Sequence, residues 1–248
     1  MTSVLDQFYA HVKAQLEQVM TLERTNIEAA AAAVADALQN DRDFLTFGSG
    51  HSALVAHEVM WRAGGLAPAM AIQDHTGGDA ERIEGVAKLI LGHYVLRAGS
   101  VLVVISNSGI NAVPVEAAMI GRDAGLTVVA ITALAHSQDV PSRHSSGKKL
   151  YELADIVIDS HTPRGDTSIA LPGSDLRTGA TSTLAGVMII DAITAEAAAL
   201  LDTRGIEPPL LVSANVPDGD AHNLALKQKY LPRLSRFPID TADLADVP

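Results

Sequence analysis

Two short runs gather the residue types best suited to hold an anion: Gly48-Ser49-Gly50-His51-Ser52 and Ser106-Asn107-Ser108-Gly109-Ile110-Asn111. Each stands between an apolar stretch and a helix-forming stretch. Each would therefore present free backbone N–H groups at a helix N-terminus, where the helix dipole favours negative charge. Gly109 removes a side chain where a phosphate must come close, and Ser106, Ser108 and Asn111 can each add a hydrogen bond. Capping the next helix would need only one such residue; three around a glycine predict a phosphate cradle. Proton-transfer groups stand nearby in the chain. Glu58 follows His51 by seven positions, which puts both on one helix stripe pointing back toward the first turn. A carboxylate there could serve as a general base toward a bound ligand. His75, in the loop Asp74-His75-Thr76-Gly77-Gly78-Asp79, and His222, just behind Asp218-Gly219-Asp220, are the other candidate acid–base groups. Arg82 and Glu84 alternate with Ile83, which is expected on a buried helix face, and so read as solvated.

The elements that must position these residues follow from the apolar rhythm. Continuous apolar runs at Phe44–Phe47, Pro68–Ile72, Ser100–Ile105, Thr127–Thr132 and Asp155–Ile158 read as strands. Helical spacing is expected over Val4–Met20, Asn26–Leu38, Ser52–Ala63, Asp79–Tyr94, Ala112–Ala124, Gly147–Leu153 and Thr183–Leu201. Strands that are apolar throughout and alternate with helices predict an α/β, doubly wound sheet of about five parallel strands. Ligands of such a sheet sit beyond the carboxyl ends of the strands, which is where both small-residue turns fall. Residues 1–40 would be N-terminal helices, 41–202 the ligand-binding domain, and 203–248 a C-terminal extension with a helix capped by Asp220 and running to Leu231. The last dozen residues read as loose.

Composition narrows the function classes. A net charge of −11 argues against a general nucleic-acid binder, which needs a basic face. There is no cysteine, hence no disulfide and no thiolate metal site. No signal-peptide pattern opens the chain. The best membrane candidate, Leu184–Ile190, is interrupted by Asp191, so no membrane span is expected. A cytoplasmic location follows as an expectation. The first turn also satisfies the dinucleotide fingerprint G-x-G-x-x-A, with Asp74 near the end of the second strand as a ribose-binding acid. A nicotinamide-dependent oxidoreductase therefore competes, although it has no need of a second cradle.

The paired turns, FGSGHS and VISNSGINAVPVEAA, resemble the SIS (sugar isomerase) domain, whose members bind phosphosugars. The resemblance runs from about Asn26 to Leu201. It implies that Ser106, Ser108 and Asn111 hold the phosphate, with Asn107 and Gly109 in the same turn. Ser49 and Ser52, with Gly48, Gly50 and His51 around them, would face the sugar. Thr181-Ser182-Thr183 would be a third polar turn at the site. Asn111 departs from the Thr or Ser that usually ends the second motif. The implied activity is aldose–ketose isomerisation of a sugar phosphate; a phosphosugar sensor and an etherase-like lyase are the alternatives. Some members complete each site with a histidine from a neighbouring subunit, a part His222 or His75 could take in a homodimer or homotetramer. Phosphoheptose isomerase uses zinc, with a His and a Glu on the helix that follows the first turn. The matching positions are Glu58 and Arg62, and Gly186–Ala195 contains no His or Gln for the later ligands. Neither a metal nor another cofactor is expected.

Overall fold

The computed structural model describes residues 3–234. Five strands form one parallel sheet: β1 (Phe44–Gly48), β2 (Ala69–Ile72), β3 (Val101–Ile105), β4 (Thr127–Thr132) and β5 (Ile156–Asp159), in spatial order β2-β1-β3-β4-β5. Every residue of β1, β2 and β3 is buried, because helices cover both faces. On one face lie α1 (Val4–Leu22), α2 (Arg24–Gln39), α3 (Ser52–His57) and α7 (Ser182–Thr203), whose core includes Ala31, Val34, Val55, Ile189 and Ile193. On the other lie α4 (Val86–Leu91), α5 (Ala112–Asp123) and α8 (Gly219–Leu234), around Leu45, Val104, Val113 and Leu231. A single-turn α6 (Leu134–Ser137) follows β4, and a two-stranded hairpin, β6 (Ile169–Ala170) with β7 (Arg177–Thr178), precedes α7.

Chain order reverses direction between β1 and β3, which are hydrogen-bonded neighbours although β2 intervenes in sequence. Their register pairs Phe44 with Val101 and Gly48 with Ile105, so the two strands end level. The turns after them, residues 48–52 and 106–111, stand side by side at the topological switch point, where ligands of this sheet type bind.

Several elements depart from expectation. The helix expected over 79–94 is confined to α4. Gly77, Gly78 and Gly85 all have φ between +65° and +95°, so the chain from 75 to 85 is a run of turns, a strap leaving β2. Ile83 is consequently 57% exposed rather than buried. The first helix after β1 ends at His57, and Trp61 at φ +53° blocks its continuation to Ala63. Residues 147–153 form only a 3-10 turn at Leu150–Glu152. Helix α8 begins at Gly219, with Asp220 in its first turn, and reaches Leu234. The stretch expected to be loose, the last dozen residues, lies outside the described residues. Helix α7 has the length and mean hydropathy to cross a membrane despite Asp191, contrary to the sequence expectation. Half of its apolar window, however, is buried against the sheet and α2, so it serves as a core helix.

Candidate functional site

The second turn is built as an open cradle. Gly109 takes φ +63°, and a Cβ there would lie 2.8 Å from both Ser137 Oγ and Thr132 Oγ1, so only glycine fits. Its N–H donates to Ser106 Oγ at 3.2 Å, and the Asn107 carbonyl accepts from Ala133 N–H at 3.0 Å. Among the described residues, the backbone N–H groups of Ser108, Ile110 and Asn111 and the Ser108 hydroxyl have no hydrogen-bond partner. Donors left free beside a helix N-terminus are the chemistry of an anion site. Asn107 Oδ1 is also buried without a partner, beside a small cleft lined by Ser52, Val55, Asn107, Ser160, Ser182 and Thr183.

The first turn adjoins it. Ser49 Oγ donates to Asp74 Oδ2 at 2.6 Å, and Asp74 Oδ1 accepts from the N–H and hydroxyl of Thr76. Partial burial would raise the Asp74 carboxyl, but the hydrogen bonds from Ser49, Thr76 and Gly78 outweigh it and hold the group below its ordinary value. The strap touches the turn directly: a Cβ on Gly78 would lie 2.8 Å from Gly50 Cα. Gly48 is as constrained, since its Cβ would meet Ser52 O at 2.3 Å. His51, at the start of α3, and His75, on the strap one residue past Asp74, are both exposed at the rim.

Both ends of the Asn111 side chain are engaged within the protein. Its Oδ1 accepts from Arg143 Nη1 at 2.8 Å, and its side chain hydrogen-bonds Glu81. The structure thus makes it a buried hub between a cation and an acid. Burial pushes the Glu81 carboxyl above its ordinary value; the Asn111 hydrogen bond and the charges of Arg82 and Arg143 oppose this, and Asp74 adds to it. Sequence reasoning missed both Glu81 and Arg143. One sat in the expected helix beside Ile83 and the other in a polar loop, and neither position carries a periodic signal. Glu84, expected to be solvated, accepts from the N–H and hydroxyl of Ser145 at 2.6 and 2.7 Å. It also joins His144 and Glu116 in the one histidine–carboxylate cluster with metal-ligand spacing among the described residues. There Ser146 N–H donates to His144 Nδ1, which leaves Nε2 with its proton facing the carboxylates. The cluster ties the 141–149 loop to the strap and α5.

The third polar turn is occupied by the protein itself. Asp166 Oδ1 accepts from the N–H groups of Thr181 and Ser182, and Oδ2 from the Ser182 hydroxyl, so a carboxylate already caps α7. Ser182 and Thr183 still line the cleft, while Thr181 Oγ1 is buried without a partner. Glu58 stands apart from the cradle. It is ion-paired with Arg62, which also reaches Asp191 Oδ2 at 3.7 Å, in a separate cleft. A guanidinium between two carboxylates does not fit a divalent metal there. His222 Nε2 bonds the Leu210 carbonyl at 2.9 Å. Leu210 pairs with Leu66 just ahead of β2, at the end of the sheet away from this chain's cradle.

Comparison with known proteins decides what this arrangement belongs to. The model of the SIS domain matches residues 7–133. The chain belongs to the SIS domain family. This SIS protein is 38% identical over 240 residues to a UPF0309 protein of Geobacillus kaustophilus, an alignment covering 93% of this chain and 96% of that one. In fold it is similar to the phosphoheptose isomerase GmhA of Neisseria gonorrhoeae (TM-score 0.53, 22% identity, covering 79% of this chain and 95% of that one). It is also similar to the sugar isomerase domain of an RpiR transcription factor from Sphaerobacter thermophilus (TM-score 0.51, 16% identity, covering 92% and 98%).

Proposed function

We propose that this SIS protein is a cytoplasmic sugar-phosphate isomerase that interconverts aldose and ketose forms. The observation that carries the reading is the pair of level turns at the switch point, one with unpartnered N–H donors and a free Ser108 hydroxyl, the other bordering the same cleft through Ser52. The phosphate takes the second turn and the sugar extends toward the first. Isomerisation removes a proton from the carbon beside the carbonyl and returns it to the neighbouring carbon, so no atom is gained or lost and one carboxylate can serve both steps. Glu81 suits this role better than Glu58. It is desolvated, its proton affinity is raised, and it is linked through Asn111 to the cradle, whereas Glu58 is neutralised by Arg62. His75 stands at the rim in this chain. His222 could reach a cradle only in another copy.

The test is a thermal-shift screen of pentose to heptose phosphates alongside NAD and NADP, followed by proton NMR of the best ligand in deuterated water. Stabilisation by a sugar phosphate with loss of its C1 or C2 proton signal, unaffected by a chelator, is the expected result. Stabilisation by the dinucleotides alone would replace the reading with an oxidoreductase. Tight phosphosugar binding without exchange would make the protein a sensor, as a fold shared with a transcription-factor domain allows.

A further inference from the structure

The segment from Arg143 to Leu150 is clamped onto the cradle at both ends. Arg143 N–H donates to the Ile110 carbonyl at 2.9 Å, and Leu150 N–H to the Gly109 carbonyl at 2.9 Å. Between these points Ser145 is held by Glu84, and His144 lies nine-tenths buried against Glu84 and Glu116. The loop therefore fixes the Arg143 backbone against the turn that would receive a phosphate. The Arg143 side chain is exposed, and one guanidinium nitrogen is bound to Asn111 Oδ1. That single bond orients the planar group and leaves other N–H donors of the five for a ligand.

Two features of the site call for a cation here. Asn111, at the position that would otherwise supply a ligand hydrogen bond, is engaged by Arg143 and by Glu81. The surroundings are also acidic. Asp74 is bound to Ser49 at the first turn, Glu81 to Asn111 at the second, and the whole chain carries a net charge of −11. A phosphate dianion would meet this field with repulsion. Lys149 is directed at the carbonyls of Ser137 and Gln138 and Arg82 acts on Glu81 through its charge alone; of the three, Arg143 is the one hydrogen-bonded to Asn111 of the cradle.

We infer that Arg143 is the residue that selects a phosphate monoester dianion, giving the cradle a bidentate, charged partner in place of the hydrogen bond that Asn111 withholds. This rests on the reading that the cradle takes a sugar phosphate. It adds a specificity determinant on a separate loop, where guanidinium geometry matches phosphate oxygens.

Calorimetric titration of inorganic phosphate and of fructose 6-phosphate into the wild type, Arg143→Met and Arg143→Lys, at low and moderate salt, tests it. Arg143→Met should weaken both probes about tenfold to a hundredfold. It should also flatten the salt dependence, a readout that loss of a merely structural contact would not change. Arg143→Lys should bind severalfold more weakly than wild type yet keep the wild-type salt dependence, because the charge remains and the fork is lost. It carries the test if the Met variant does not fold. Wild-type binding with Arg143 variants of equal affinity and equal salt dependence overturns this inference alone. A wild type that binds neither probe overturns both this inference and the sugar-phosphate reading.

Discussion

At the scale of single residues, the cradle and the acid beside it make opposite demands on stability. Ser108 Oγ has no partner within the described residues, so Ser108→Ala should leave the melting temperature unchanged. It should remove one hydrogen bond to a charged ligand, worth roughly 1.5–3 kcal/mol, and weaken sugar-phosphate binding about tenfold to a hundredfold. Equal affinity in a titration would take Ser108 out of the site. Glu81 is the reverse case. Its carboxyl is raised by burial, so between its unfolded and folded values the native state holds more protons than the unfolded one, and stability falls as pH rises through that window. Glu81→Gln should thus raise the melting temperature at pH 7 to 8, with the gain fading as acid protonates the wild-type carboxyl. The same change should lower turnover by roughly 10² to 10⁴ while binding survives. A variant less stable at neutral pH would show that Glu81 is not strained, and a fully active one that it is not the base.

At the scale of elements, the sequence made the sheet legible but not the segments laid over it. Strands such as Val101–Ile105 announce themselves by an unbroken apolar run, and Ser106–Asn111 by glycine and hydroxyls where that run stops. The strap at 75–85 shows the limit. Ile83, Val86, Leu89 and Ile90 mimic a helical stripe, yet three glycines at positive φ unwind the first half and leave Ile83 in solvent. Glu81 therefore turns toward Asn111, which periodicity alone could not reveal, and Asp166 reaches α7 across a hairpin that no local signal marks. Another such long-range tie joins the N-terminal helices to the sheet. His161, at φ +49° just past β5, places Nε2 3.1 Å from Glu23 Oε1 and Nδ1 3.6 Å from Asp159 Oδ2, and both carboxylates are buried. His161→Ala would take one hydrogen-bond partner from Glu23, which keeps Asn26, and a neighbour from Asp159, which keeps the Leu134 N–H, and should cost about 1.5 kcal/mol in urea unfolding. A loss below about 0.5 kcal/mol, the range of a neutral surface change, would reduce the histidine to a bystander.

At the scale of the whole molecule, the apolar surface left over determines what the chain does next. The alanine-rich face of α2 is consumed internally: Ala30, Ala31, Val34 and Ala35 pack within the chain's own core. Elsewhere large apolar side chains remain outside. Leu5 and Tyr9 stand out from α1, and Leu54 on α3 and Leu184 on α7 are 57% and 45% exposed. The last two belong to helices in close contact, since a Cβ on Gly186 of α7 would lie 2.9 Å from Val55 of α3. The same two helices supply Ser52, Ser182 and Thr183 to the cleft. Exposed apolar side chains beside a polar site suit an association surface, and a second copy docked here would bring each cleft to a subunit boundary. We expect a dimer, or a dimer of dimers, by light scattering at micromolar concentration. The double variant Leu54→Glu with Leu184→Glu should shift it to monomer without lowering helix content, since neither side chain supports its own core. If association completes the site, that monomer should also bind sugar phosphate more weakly, although every cradle residue remains in place. A wild type that is monomeric throughout would end this account. It would also close the one route by which His222, held at the far end of the sheet by Leu210, could take part in the chemistry.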